Sequence, residues 1–142
     1  MSHENVEVVK RGFAALAEGL DFETAVADFV HEEVVVRRQP PLPDSGIATG
    51  PEGLLEVIAE WLEDFDDFEM SGVEYIDAGD EVVVTVSQRA RGAASGVPVT
   101  GTYWFVFEVA AGKVTRLDMY ASREQALEAV GLAADPGEER AR

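Results

Sequence analysis

Gly112-Lys113-Val114-Thr115-Arg116-Leu117-Asp118-Met119-Tyr120-Ala121-Ser122-Arg123-Glu124-Gln125-Ala126-Leu127 reads as a strand that runs directly into a capped helix. Val114 to Ala121 is rich in β-branched, aromatic and aliphatic residues, which suit a pleated, half-buried segment. Ser122 and Gln125 then form the S-x-x-Q box, in which each side chain serves a backbone N–H of the first helical turn. The chain is therefore predicted to end on a strand and then a helix. Working backward, a turn at Ala110-Ala111-Gly112 separates that strand from Val97 to Val109, and a Gly/Ser loop ending at Gly96 separates the latter from Val82 to Arg91. A further turn, Asp77-Ala78-Gly79-Asp80, leads back to Phe68 to Ile76. Gly-containing turns between β-rich runs signal hairpins, so these four strands are expected to form an antiparallel meander.

The first half reads mostly as helix. Val6, Val9, Phe13, Leu16 and Leu20 recur at three- and four-residue spacing, the stripe of an amphipathic helix that begins after Ser2. Asp21 can cap a short second helix through Phe22, Ala25, Val26 and Phe29. The run Val34-Val35-Val36-Arg37-Arg38 then reads as a strand that Pro40 and Pro41 terminate. Pro41 to Gly50 is turn-rich. Pro51 suits the first turn of a third helix, whose buried stripe would be Leu54, Leu55, Ile58, Leu62 and Phe65. Helices grouped early, consecutive strands and a last helix imply an α+β domain in which a curved antiparallel sheet is covered by helices on one face. One domain over residues 1–134 is expected, with a polar, frayed tail at 135–142.

Composition narrows the function. The 142 residues carry a net charge of −17, from 28 acidic against 11 basic side chains, which repels nucleic acid and anionic membrane surfaces. No apolar run approaches the roughly 20 residues of a membrane span, and Met1 to Lys10 lacks the layout of a signal peptide, so a cytoplasmic setting is expected. With no cysteine and only His3 and His31 as imidazoles, neither a metal nor an organic cofactor is expected. His31, placed near the end of the second helix, reads as a dipole cap.

The order of elements resembles the nuclear transport factor 2-like superfamily, and more closely its SnoaL-like branch of small polyketide cyclases and uncharacterised bacterial proteins. The resemblance runs from Val6 to Leu132 through Phe13-Ala14-Ala15-Leu16, the strand before Pro40, Gly50-Pro51-Glu52-Gly53, Asp77-Ala78-Gly79-Asp80, Ser95-Gly96-Val97 and Gly112-Lys113-Val114. It implies a cone of bent sheet and helices, a ligand cavity inside, and a homodimer made through the sheet's outer face. The fold hosts isomerases, hydrolases, cyclases and binders alike, so it does not carry function. Where similar ketosteroid isomerases place a tyrosine and an aspartate, this chain has Phe13 and Arg38-Gln39-Pro40. Of the positions matching the polar residues of similar limonene-epoxide hydrolases, Val36, Arg38, Arg89, Arg91 and Met119, only Arg89 agrees.

Alternation along the last strand leaves two registers. Either Leu117, Met119 and Ala121 face the cavity, as their apolarity and the resemblance favour, or Arg116, Asp118 and Tyr120 do. In the first, Asp118 and Tyr120 lie on the outer face. In the second, Asp118 is a carboxylate in an apolar cone, the raised-pKa general base that SnoaL-type cyclases imply, with Tyr120 as a polar partner. Arg38, Arg89 and Arg91 are expected to share one parity, where three guanidiniums would bind a carboxylate, phosphate or enolate. Trp61 and Met119 are further candidate pocket residues. Two readings follow: acid–base catalysis on a hydrophobic, oxygenated small molecule, or a non-catalytic ligand-binding or dimerisation module.

Overall fold

A computed structural model describes residues 2–42 and 46–132, so the expected tail from residue 135 lies outside the described residues. The order is α1 (Ser2–Ala17), α2 (Phe22–Phe29), β1 (Val30–Arg38), β2 (Gly46–Thr49), α3 (Gly50–Asp64), β3 (Phe65–Ala78), β4 (Glu81–Gly92), β5 (Pro98–Ala110), β6 (Lys113–Tyr120) and α4 (Arg123–Ala129). Local chemistry explains the starts of the helices. The Thr24 backbone N–H donates to Asp21 Oδ1 at 2.7 Å to open α2, and bonds from Thr24 hold the Asp21 carboxyl below its usual range. Ser122 Oγ accepts from the Gln125 N–H at 3.2 Å to open α4, and Pro51 occupies the first turn of α3.

All six strands form one sheet in the order β2-β1-β6-β5-β4-β3. The hairpins β3–β4, β4–β5 and β5–β6 are antiparallel, as their turns predict. β1, however, lies parallel to β6, so the curved sheet is mixed rather than wholly antiparallel. No hairpin turn joins β1 to β6, which are far apart in the chain and separated by β2, α3 and three further strands. β2 is a short edge strand within the stretch read as loop, paired antiparallel to β1.

Helices α1, α2 and α3 close over the inner face. Val8, Val9, Phe13, Val26, Leu54, Val57 and Ile58 pack there against Val34, Val36, Val82, Val84, Val86, Phe105, Leu117 and Met119. The inward stripe of α3 runs Leu54, Val57, Ile58 and then Trp61, so Leu62, read as buried, is turned about 100° away and exposed. The last helix also departs from expectation, because α4 packs on the outer face, where Ala126 joins Val83, Val106 and Tyr120. Covered on both sides, β4 can carry three consecutive buried valines, Val82-Val83-Val84. Each such side chain contributes about 1.5–3 kcal/mol on burial. Among the described residues no helix is long and apolar enough to cross a membrane, and no group of three His, Asp or Glu could hold a metal ion.

Candidate functional site

The register of the sheet decides which side chains meet. Across the inner face stand Val36, Leu117, Phe107 and Val82 in one row, and Arg38, Met119, Phe105 and Val84 in the next. Behind them lies a small chamber of about 100 Å³, walled by apolar side chains that include Val9, Phe13, Val26, Leu54, Leu117 and Met119. Trp61, Phe105 and Met119 separate this chamber from a vestibule of about 320 Å³, whose polar groups include Arg38, Glu60, Asp64, Gln88, Thr100 and Tyr103. Trp61 is held by stacking on Phe68, with ring centroids 5.8 Å apart.

Arg38 is the sheltered cation of the vestibule, whose lining also includes the exposed Arg89. It is only 17% exposed and donates Nη1 to Glu60 Oε1 at 3.2 Å, Glu60 being 57% exposed on α3. The sheltered end of this pair is thus the guanidinium, which keeps further donors for an oxygen of a guest. On β4, Gln88 donates Nε2 to Met70 Sδ at 3.6 Å, a weak bond across the β3–β4 pair. Tyr103 folds along β5 over Gly101, where a Cβ would sit 3.0 Å from its ring.

The other sequence-predicted residues sit elsewhere. Alternation from Val82, Val84 and Val86 puts Gln88 and Ala90 on the inner face, and Arg89 and Arg91 on the other. Arg89, 70% exposed, bonds Glu69 at 2.6 Å, and Arg91, 56% exposed, lies 3.6 Å from Asp67. The three arginines therefore do not share one sheltered cluster: Arg38 is sheltered in the vestibule, Arg89 lines its rim but is exposed and paired with Glu69, and Arg91 pairs with Asp67 in solvent. His31 does not cap a helix. It lies in β1, and its Nδ1 accepts from the Glu33 N–H at 2.9 Å.

Leu117 and Met119 face inward, and Asp118 and Tyr120 outward. Asp118 is nonetheless only 2% exposed. Arg37, its cross-strand neighbour on β1, donates Nε to Oδ1 at 2.6 Å and Nη2 to Oδ2 at 2.8 Å. Arg116, two residues earlier on the same face, donates Nε to Oδ2 at 3.0 Å, Nη1 to Glu108 Oε2 at 3.0 Å, and Nη2 to Glu81. Glu108 and Glu81 stand opposite each other, a like-charge pair that Arg116 offsets by bonding both. The hydrogen bonds from Arg37 to Asp118 raise the Arg37 pKa. Burial pulls the Arg116 guanidinium down, but Asp118, Glu108 and Glu81 together leave it raised. Burial first, then the charge of Asp118, raises the Tyr120 phenol.

Sequence reasoning missed Glu60, Gln88 and Arg37. The valine alternation of β4 was a signal for Gln88. Nothing local marks Arg37 as the partner of a residue 81 positions away.

A family model described as a SnoaL-like domain matches residues 9–117. No curated protein matches the chain. Among solved structures, TerC co-crystallised with polyporic acid aligns at TM-score 0.69 and 20% identity, over 89% of this chain and 97% of its own. A candidate SnoaL-like polyketide cyclase from Jannaschia sp. CCS1 aligns at TM-score 0.70 and 20% identity, over 83% and 85%. A ketosteroid isomerase-like protein from Catenulispora acidiphila DSM 44928, in complex with trimethylamine, aligns at 0.67 and 17%, over 90% and 95%. At these identities the likeness is one of fold.

Proposed function

The chain belongs to the SnoaL-like domain family, and we propose that it is a pocket protein that holds a small, hydrophobic, oxygenated molecule between the apolar chamber and Arg38 without a catalytic step of its own. The observation that carries this reading is the division of the two faces. The carboxylate best suited by sequence to be a base, Asp118, is saturated by three guanidinium bonds away from the cavity, while the vestibule presents a sheltered guanidinium and an amide. Such groups orient an oxygen, and an apolar chamber supplies the affinity. The guest approaches a strongly acidic protein, so its anionic or carbonyl end is steered by Arg38 locally rather than by overall charge.

Thermal denaturation with aromatic and aliphatic carboxylates, against neutral isosteres, tests this. A ligand at a hundredfold excess over its Kd adds about 2.7 kcal/mol, a rise of roughly 5–10 °C for a domain of this size. Arg38→Leu should abolish the carboxylate's advantage over its isostere. A panel that leaves the melting temperature unchanged would sink the reading.

A second reading, acid–base catalysis, rests on Glu60, whose carboxylate is within a hydrogen bond of Arg38 at the vestibule. Proton exchange next to a carbonyl in a bound ketone, lost in Glu60→Gln and retained in Asp118→Asn, would favour it over binding alone. A homodimer through the outer face is part of the proposal. Light scattering at tens of micromolar checks the assembly state.

A further inference from the structure

The chamber is too small to be the whole site. An engineered cavity of about 150 Å³ holds benzene, and small-molecule sites run to about 300–1,000 Å³. At about 100 Å³ the chamber accepts only a narrow section of a guest, and the remainder must pass through a wall. Two walls are thin. One, toward the vestibule, is Trp61, Phe105 and Met119. The other, Leu16, Phe22, Ile58 and Met70, separates the chamber from a groove of about 820 Å³ between the α1–α2 turn, α3 and edge strand β3. Leucines at Leu16, Leu20, Leu55 and Leu62 line that groove, and Leu62 is exposed. Met70, an unbranched side chain that repacks at low cost, stands in the second wall, tethered by the weak 3.6 Å contact with Gln88 of the vestibule. Displacement of Met70 by a guest would open the second wall and free the Gln88 amide for its polar head.

From this geometry we infer that the cone is a passage with two mouths, and that its ligand class is an elongated amphiphile: a carboxylate or similarly oxygenated head at Arg38 and Gln88, a chain through the chamber, and a tail in the leucine groove. This rests on the binding reading above and adds the shape of the guest. Cross-sectional fit favours an unbranched alkyl chain, since the chamber admits less than a benzene ring.

Isothermal titration with hexanoate, decanoate and tetradecanoate, below their critical micelle concentrations, tests it. Affinity should rise about fourfold per methylene, the equivalent of ~0.8 kcal/mol, through decanoate and beyond. Leu62→Glu, at an exposed position that leaves the core untouched, should weaken tetradecanoate at least tenfold and leave hexanoate unchanged. Arg38→Leu should weaken all three lengths equally. A plateau at hexanoate, or a Leu62→Glu variant that binds tetradecanoate normally, would overturn the passage and leave the pocket reading standing. Failure of every chain length, together with benzoate, would overturn both.

Discussion

Arg37 and Arg38 are neighbours on β1, as Asp118 and Met119 are on β6, yet each pair divides between two different environments. On the outer face Arg37 and Asp118 join a closed ionic array with Arg116, Glu108 and Glu81, in which each oxygen of the buried carboxylate accepts at least one bond. On the inner face Arg38 and Met119 border a mostly apolar cavity, and among the described residues the partner of Arg38 is a half-exposed glutamate. A buried charge with saturated bonds holds strands together. A sheltered charge with spare donors beside a cavity is equipped to hold something else.

The largest expected effect belongs to the inner wall. Phe105 is buried between chamber and vestibule, with its ring 6.1 Å from that of Phe107. Phe105→Ala should cost about 3–5 kcal/mol in urea denaturation and also change alkanoate affinity, because the same ring supports the core and shapes the cavity. Equal affinity in variant and parent would detach Phe105 from the site.

Asp118→Asn should come next and should separate the faces. Removing one partner of a fully buried ion pair costs about 3–5 kcal/mol, but Arg37 is 39% exposed and can rehydrate, so about 2–3 kcal/mol is expected here. Ligand affinity should stay within twofold. A variant of unchanged stability that no longer binds would return Asp118 to the functional site and break the comparison.

Alkali should produce a smaller loss on both faces. Burial raises the phenol of Tyr75 above its ordinary 10.0, and that of Tyr120 on the outer face is raised by burial and then by Asp118. A raised folded-state pKa means that the neutral phenol is favoured by folding. Its contribution is therefore complete below pH 10 and is lost as pH rises through 10 toward the folded value. Denaturation between roughly pH 8 and pH 10.5 should show a shallow decline that Tyr120→Phe and Tyr75→Phe each reduce. A flat profile in the parent would show that neither ring is shielded.

Much of this division was legible in the sequence, and the remainder depended on pairing. The Ser122 cap, the hairpin turns and the apolar parity of Leu117 and Met119 are local signals, and the structure follows them, although Gln125 turns its amide to the Pro40 carbonyl instead of completing the box. The parallel pairing of β1 with β6 is set by no turn, so the proximity of Arg37 to Asp118 could not be read from either strand. The side taken by α4 is equally nonlocal, since a helix after an edgeward turn can fold onto either face. Arg89 and Arg91 were placed with Arg38 by matching strands to a family, although the alternation of Val82, Val84 and Val86 points inward to Gln88 instead.

The smallest effect sharpens that last point. Arg89 and its partner Glu69 are 70% and 65% exposed, and an ion pair of this kind contributes about 0–1 kcal/mol because solvent screens the charges and two long side chains must be ordered. Arg89→Ala should thus shift the melting temperature by no more than about 2–4 °C. It should also leave the carboxylate-dependent rise intact, while Arg38→Leu removes it. The contrast follows from shelter: Arg38 is 17% exposed beside Met119 and Phe105, whereas Arg89, at the rim of the vestibule, is tied to Glu69 in solvent. If Arg89→Ala instead abolished the ligand response, its guanidinium would have to leave Glu69 for the guest, and the rim of the vestibule at the open end of β4, which Arg89 lines, would belong to the binding site.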